Sequence, residues 1–203
     1  MIKELFLVEG ESAALAVQRV CDPSFQTVLA MQGKPLNAWK ASRAKVTSYP
    51  LFQQLADALG VELGTGSCNV DTCQFQRVVL LFDPDADGIH CSALMLWFFH
   101  RWLPELLAAG CVVTAHPPTC ELTSASTQEK WYPCNQRELN EILTRQQERG
   151  LTDVQRKPFR GLASLGSELL LIHCIHPDSR RLHRLRPEDA EASLIAFGVI
   201  KPD

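Results

Sequence analysis

Tyrosine is scarce in this chain, long unbroken apolar runs are missing, and neither sign of charge dominates. Tyr49 and Tyr132 are the two tyrosines, and neither stands in a context that suggests a nucleophile. The most apolar stretch, residues 93–109, is broken by Arg101 and Glu105, which excludes a membrane span and predicts a buried helix. The opening MIKELFLVEG has an apolar run too short for a signal peptide. A formal net charge of −3 excludes a broadly basic nucleic-acid coat, so any DNA contact has to come from local patches. Eight cysteines are present without one C-x-x-C pair, and Cys111 in CVVTA sits, like several others, inside an apolar run. They are expected to be reduced, mostly buried thiols of a cytoplasmic protein. There is no internal repeat, heptad array or low-complexity linker. What remains is a chain of 203 residues, 46% hydrophobic and 21% charged, enough for one ordinary core with a smaller appendage.

Strand and helix patterns alternate along the first part. LFLVEG reads as a buried strand and ESAALAVQRV as a helix beginning near Ser12. FQTVLAM is a second strand, followed by the loop QGKPLN. PLFQQLADALG predicts a helix with Pro50 in its first turn and Gly60 past its end. RVVLLF is a third strand, and the helix after it is expected over residues 91–109, kinked or divided at Pro104 and ended by Gly110. CVVTAHPP is a fourth strand. Short turns between alternating elements imply a parallel sheet covered on both faces. Past Pro118 the texture is more polar. ELTSASTQEKWY suggests a hairpin, and NQRELNEILTRQQERG a helix with an Asn135-x-x-Glu138 capping box and Gly150 as its stop. SELLLIHCIH and RPEDAEASLIAFG predict two further helices. The expected division is a core over residues 1–120 and a hairpin with a helical tail over 121–203.

The sharpest chemical signal is VVLLFDPDADGIH, residues 78–90, where an aliphatic run ends in Asp83, Asp85 and Asp87 and then Gly88. Carboxylates this close raise one another's pKa and call for a cation. An EF-hand loop would need a bidentate Glu at its twelfth position, which is Leu94 here, and a helix rather than a strand in front. An aspartyl phosphotransferase would need a phosphate loop or lid that the sequence does not supply. A magnesium site at the carboxyl end of a parallel strand suits the pattern, because that ion takes one or two carboxylates and keeps positions for water and phosphate. The plainer reading is an acidic cap on the next helix, for which one Asp would suffice.

The first strand also ends in an acid, Glu9, followed by GESA. Neighbouring strand ends lie close in a parallel sheet, so Glu9 and the aspartates can share a site although 74 positions separate Glu9 from Asp83. Gly10 and Ser12 allow a tight entry into a helix whose first N–H groups favour phosphate. Glu-Gly after strand one together with D-x-D-x-D-G after a later strand resembles the TOPRIM fold of topoisomerases, primases and certain nucleases. QGKPLN, ADGIH, FFHRWLPEL, GCVVTAHPP, FRGLASL and HPDSRRLHRL, in that order, narrow the resemblance to the B subunit of bacterial type IIA topoisomerases over about residues 4–197.

That resemblance implies an α/β, Rossmann-like TOPRIM fold with a helix-covered parallel sheet and a mainly helical C-terminal extension. It implies Mg2+, with Mn2+ as an alternative, no ATP site in this chain, and action on DNA beside an A-type subunit that carries the reactive tyrosine. Self-association as a homo-oligomer is a further expectation. Glu9 and Asp83 would hold one ion, Asp83 and Asp85 a second, with Asp87 in support. Lys34 and Asn37 match a DNA-contacting pair, and His90 a histidine of the family. Between Arg156 and Arg186 seven basic residues (156, 157, 160, 180, 181, 184, 186) face two acids, Glu168 and Asp178, a stripe that could meet DNA through Arg156, Lys157 and Arg160 or be a solvated helix surface. The chain departs from the family where Ala14 and Leu15 replace two glycines, a bulk expected to crowd nucleic acid. RGLASL lacks a glycine and an acid, and Cys91 and Ser92 follow the histidine. The implied function is a metal-bearing module that supplies half an active site; the alternatives are a stand-alone nuclease or nickase, and a DNA-binding adaptor with weakened chemistry.

Overall fold

A computed structural model describes residues 2–64 and 68–201. In chain order the regular elements are β1 (Glu4–Val8), α1 (Glu11–Gln18), β2 (Gln26–Ala30), α2 (Arg43–Thr47), α3 (Pro50–Leu59), β3 (Arg77–Leu80), α4 (Ala86–Trp102), α5 (Pro104–Ala108) and β4 (Val112–Ala115). There follow β5 (Cys120–Ser124), β6 (Lys130–Trp131), α6 (Gln136–Glu148), β7 (Val154–Pro158), α7 (Ser167–Leu170), β8 (Leu182–Arg184) and α8 (Pro187–Ala196). The main sheet has the order β2-β1-β3-β4-β8, parallel except for β8, which runs antiparallel to β4. A second, antiparallel sheet has the order β6-β5-β7.

The sheet is buried on both faces because alternate side chains of each strand serve different layers. Leu5, Leu7, Val78, Leu80 and Val112 pack with Phe52, Leu55, Met95, Phe98 and Phe99 of α3 and α4. Phe6, Val8, Val79, Leu81 and Val113 face the other way, onto Ala13, Ala14 and Val17 of α1 and onto Leu162, Leu170 and Ile175. The helix-covered parallel sheet expected from the alternation is therefore present, and with it the α/β, Rossmann-like arrangement that the resemblance implied. Pro104 divides the apolar helix into α4 and α5, since a proline has no N–H to give the preceding turn.

Four local features differ from the sequence pattern. α4 starts at Ala86, five positions before the expected Cys91, because Asp85 caps it by accepting the Gly88 N–H at 2.8 Å. Half of the capping box of α6 is realised: Asn135 accepts the Glu138 N–H at 2.9 Å, while the Glu138 carboxylate reaches past Asn135 to the Cys134 N–H at 3.0 Å. The extension carries α6, α7 and α8 and the expected hairpin, and it also contains β7 and β8, neither of which the pattern announced. SELLLIHCIH begins as α7 and widens into a π turn over Leu171–Ile175.

The basic stripe is not one surface. Arg180 is buried, and its guanidinium pairs with the buried carboxylate of Glu4 and donates to the Ile175 carbonyl at 3.0 Å. Arg181 pairs with Glu138 at 2.9 Å, and Arg184 folds against the Ala108 carbonyl at 3.4 Å. Arg180 and Arg184 tie the extension to the core, whereas the Arg181–Glu138 pair lies within the extension; the buried guanidinium of Arg180 is tolerable because Glu4 supplies a paired anion.

Candidate functional site

Glu9 follows β1 directly and Asp83 follows β3 by three residues, and the two strands are parallel neighbours in register from Glu4–Arg77 to Leu7–Leu80. The pairing is prolonged by the Leu81 N–H, which donates to the Leu7 carbonyl at 2.9 Å. Both acids thus leave the sheet at its carboxyl edge, where open α/β sheets carry their ligands. Asp85 is the cap of α4, and Asp87 stands exposed in its first turn. The D-x-D-x-D-G run is therefore both a helix cap and an acidic cluster. Its glycine has a packing reason: a Cβ at Gly88 would lie 2.0 Å from the Asp83 carbonyl oxygen.

The cluster is charged with itself. Burial pushes the Glu9 carboxyl above its usual range, and the charges of Asp83, Asp85 and Asp87 push the same way, against a hydrogen bond from the Cys91 thiol at 3.4 Å. Burial likewise raises Asp83, with Asp85 adding to it, while the Leu162 N–H donating at 2.8 Å opposes the shift. Asp87 is different. Lys34 holds it below the usual carboxylate range through a 2.9 Å ion pair. Among the described residues no group of three or more His, Cys, Asp or Glu side chains is arranged so that it could hold a metal ion. The arrangement is an open, anionic rim of oxygen donors.

The loop after β2 brings Lys34 to this rim. The Gly33 N–H donates to the Glu9 carbonyl at 3.0 Å, and Gln32 and Gly33 both take positive φ, 56° and 106°, which turns the chain toward α4. Asn37 serves its own loop, its side-chain oxygen accepting from the Trp39 and Lys40 N–H groups at 3.1 and 3.2 Å. Arg156, Lys157 and Arg160 are exposed, the first two on β7 and the third just beyond it. Arg160 lies next to Gly161, which abuts the Asp83 carboxylate. His90 is partly buried with its ring stacked on Phe197 at 5.8 Å. Of the two family departures on α1, Ala14 is buried in the core and Leu15 is 54% exposed, so crowding of a ligand falls to Leu15 alone.

Two contacts at the rim were not foreseeable from the motifs: the Cys91 thiol on Glu9 and the Leu162 amide on Asp83. FRGLASL contained a signal, a glycine beside a basic residue, but no local pattern could say that its backbone reaches a carboxylate 79 positions away. A cleft of about 490 Å3 adjoins Asp83, walled by Phe82, Ile89, Leu96, His116 and Phe197. Burial, helped by His183, lowers the pKa of His116. All eight cysteines are free thiols, and no helix among the described residues is long and apolar enough to cross a membrane.

A family model described as the Toprim domain matches residues 4–117. The chain is 31% identical over 199 residues to the DNA gyrase B protein of Metamycoplasma hominis, covering 98% of this chain and 30% of that protein. It is 31% identical over 200 residues to the DNA gyrase B protein of Staphylococcus aureus and 30% identical over 204 residues to that of Clostridium acetobutylicum, again over 98% of this chain. The chain spans about 30% of the length of the relatives it matches. With strand-end acids of the kind described above inside the matched segment, this chain belongs to the Toprim domain family.

Proposed function

We propose that this Toprim module supplies the divalent-metal carboxylates of a type IIA topoisomerase cleavage centre, working on DNA with a partner A-type subunit that brings the tyrosine. The observation that carries the reading is the pair Glu9 and Asp83, at the ends of adjacent parallel strands, both raised in pKa by burial and by the neighbouring acids. Such groups gain most from a cation, because a positive charge removes the repulsion that burial has amplified. The donors fit Mg2+, or Mn2+ in its place: they are carboxylate oxygens on an open rim, leaving room for water and phosphate oxygens. Glu9, Asp83 and Asp85 would hold the ion, with Asp87 freed from Lys34 in support. When bound, it stabilises charge on a phosphate and its leaving oxygen.

The remaining roles fall to side chains of this chain. Lys34 would exchange Asp87 for a DNA phosphate, and Arg156, Lys157 and Arg160 would add phosphate contacts that orient the duplex without reading its sequence. Asn37 shapes the Lys34 loop and offers its amide to sugar or base. The DNA gyrase B relatives and the Toprim match support this reading. Its test is plasmid cleavage and relaxation with Mg2+, with and without an added A-type subunit. Activity only in the combined reaction, abolished by Asp83→Ala, is expected. Nicking by this chain alone would replace the reading with a water-nucleophile nuclease. DNA binding without cleavage in any combination would replace it with an adaptor.

A further inference from the structure

We propose that Gly161 and the Leu162 amide are positioning elements for Asp83: a backbone cradle that sets the carboxylate on which the proposed metal site depends. The Leu162 N–H donates to Asp83 Oδ1 at 2.8 Å, and a Cβ on Gly161 would stand 2.6 Å from Oδ2 and 2.9 Å from Cγ. Both oxygens of the carboxylate therefore lie against main chain. Gly161 has φ +154°, a value that L side chains rarely adopt, so the position selects glycine twice over. Gly88 presses on the opposite end of the same residue, at the Asp83 carbonyl. Asp83 is held between two glycines, one against its backbone and one against its side chain.

The cradle is itself stiffened. The Ser164 hydroxyl accepts from the Arg160 N–H at 3.0 Å and donates to the Gly161 carbonyl at 2.7 Å, closing the turn around Gly161. Leu162 is buried among Ala13, Ala14 and Val17 of α1, the helix that starts just after Glu9. One short turn is thus keyed both to the Asp83 carboxylate and to the helix that follows Glu9. An oxygen-donor site loses affinity steeply when one ligand is displaced by an ångström, since its binding depends on ligands already in place. A methyl group on residue 161 would push the Asp83 side chain aside and would also strain the backbone at that φ.

The cradle is tested by backbone amide exchange at Leu162 and by Mn2+ titration, both on the full chain. Asp83→Asn keeps an acceptor and is expected to keep slow exchange at Leu162, while Asp83→Ala should speed it at least tenfold. Gly161→Ala is expected to melt below the original chain, because its backbone is strained, and in its folded form to bind Mn2+ at least tenfold more weakly. Ser164→Ala, which loosens the turn without a clash, should give faster exchange at Leu162 even if Gly161→Ala fails to fold. Exchange at Leu162 that ignores Asp83→Ala would overturn the cradle. So would unchanged Mn2+ affinity in a folded Gly161→Ala chain. If the original chain binds no Mn2+, the metal reading falls, and the exchange comparison still decides whether the cradle exists.

Discussion

Lys34 Nζ lies 2.9 Å from Asp87 Oδ1, so the lysine expected to meet DNA is held by an acid of the cluster expected to meet metal. Both side chains are well exposed, at 45% and 75%, and an exposed pair of this kind contributes little to stability. Its effect is on placement. The pair parks an ammonium beside the acidic cluster; under the proposed function a phosphate would take it over and leave Asp87 free.

Lys34→Ala is accordingly expected to weaken DNA binding without altering sequence preference and without a change in melting temperature. The slope of log affinity against log salt should fall by about 0.9, the share of one phosphate contact. Fluorescence anisotropy over a salt series measures both. Unchanged affinity would return Lys34 to the role of a loop charge paired with Asp87.

At Asp85 two jobs have to be separated, because the side chain caps α4 as well as facing the cluster. Asp85→Ala removes both and should cost about 1 kcal/mol of stability for the lost cap. Asp85→Asn keeps an oxygen for the Gly88 N–H and removes the charge. The expected result is a stable Asp85→Asn chain with strongly reduced Mn2+ binding by calorimetric titration. Wild-type affinity in that variant would remove Asp85 from the ligand set.

Glu4 governs acid stability. Burial alone would raise its pKa, but hydrogen bonds from Arg180, Gln26 and Arg77 outweigh it and hold the carboxyl below its usual range. A carboxyl lowered in the folded state stabilises the fold above the pKa of the unfolded chain. That contribution is lost as pH falls through the lower folded value. Thermal melts of the original chain should therefore lose stability through the acid carboxylate range, and Glu4→Gln should lack that part of the slope. At neutral pH Glu4→Gln strands the Arg180 charge and is expected to cost about 3 kcal/mol. A neutral-pH melting temperature equal to that of the original chain would refute this role.

Both tyrosines are engaged in contacts within this chain. The Tyr132 hydroxyl donates to Glu121 at 3.1 Å, and burial together with that carboxylate raises its pKa. Tyr49 packs edge-on against Phe52 at 5.0 Å. The 203-residue chain alone is expected to form no covalent adduct with DNA and to relax no plasmid. An adduct trapped by denaturant from this chain would contradict the proposed division of labour.

The parallel sheet and its covering helices were legible because apolar periodicity is local and strong in RVVLLF and PLFQQLADALG. The grouping of Glu9 with the aspartates was legible because strand ends of one sheet must be near. β7 was not. Its residues VQRKP are largely exposed and end in proline, so only pairing with β5 makes them a strand. β8 is three residues long, LHR, and two of them read as surface charge or polarity. Arg180 reads as solvated until Glu4, 176 positions earlier, is seen beneath it. The start of α4 was hidden because aspartates and a glycine look like a turn, and a cap is a turn that a helix happens to follow.

The antiparallel edge strand β8 also sets an order of assembly. β1, β2 and β3 can pair early, yet β4 has no outer neighbour until residues 182–184 arrive, about seventy positions later. Until then Glu4 also lacks the guanidinium of Arg180. Contacts so distant along the chain must pay loop-closure entropy before they return anything, and they slow folding. A nascent chain stopped before β8 therefore exposes an open strand edge on β4 and leaves a half-neutralised carboxylate on β1, the kind of species that chaperones hold and that aggregates in their absence.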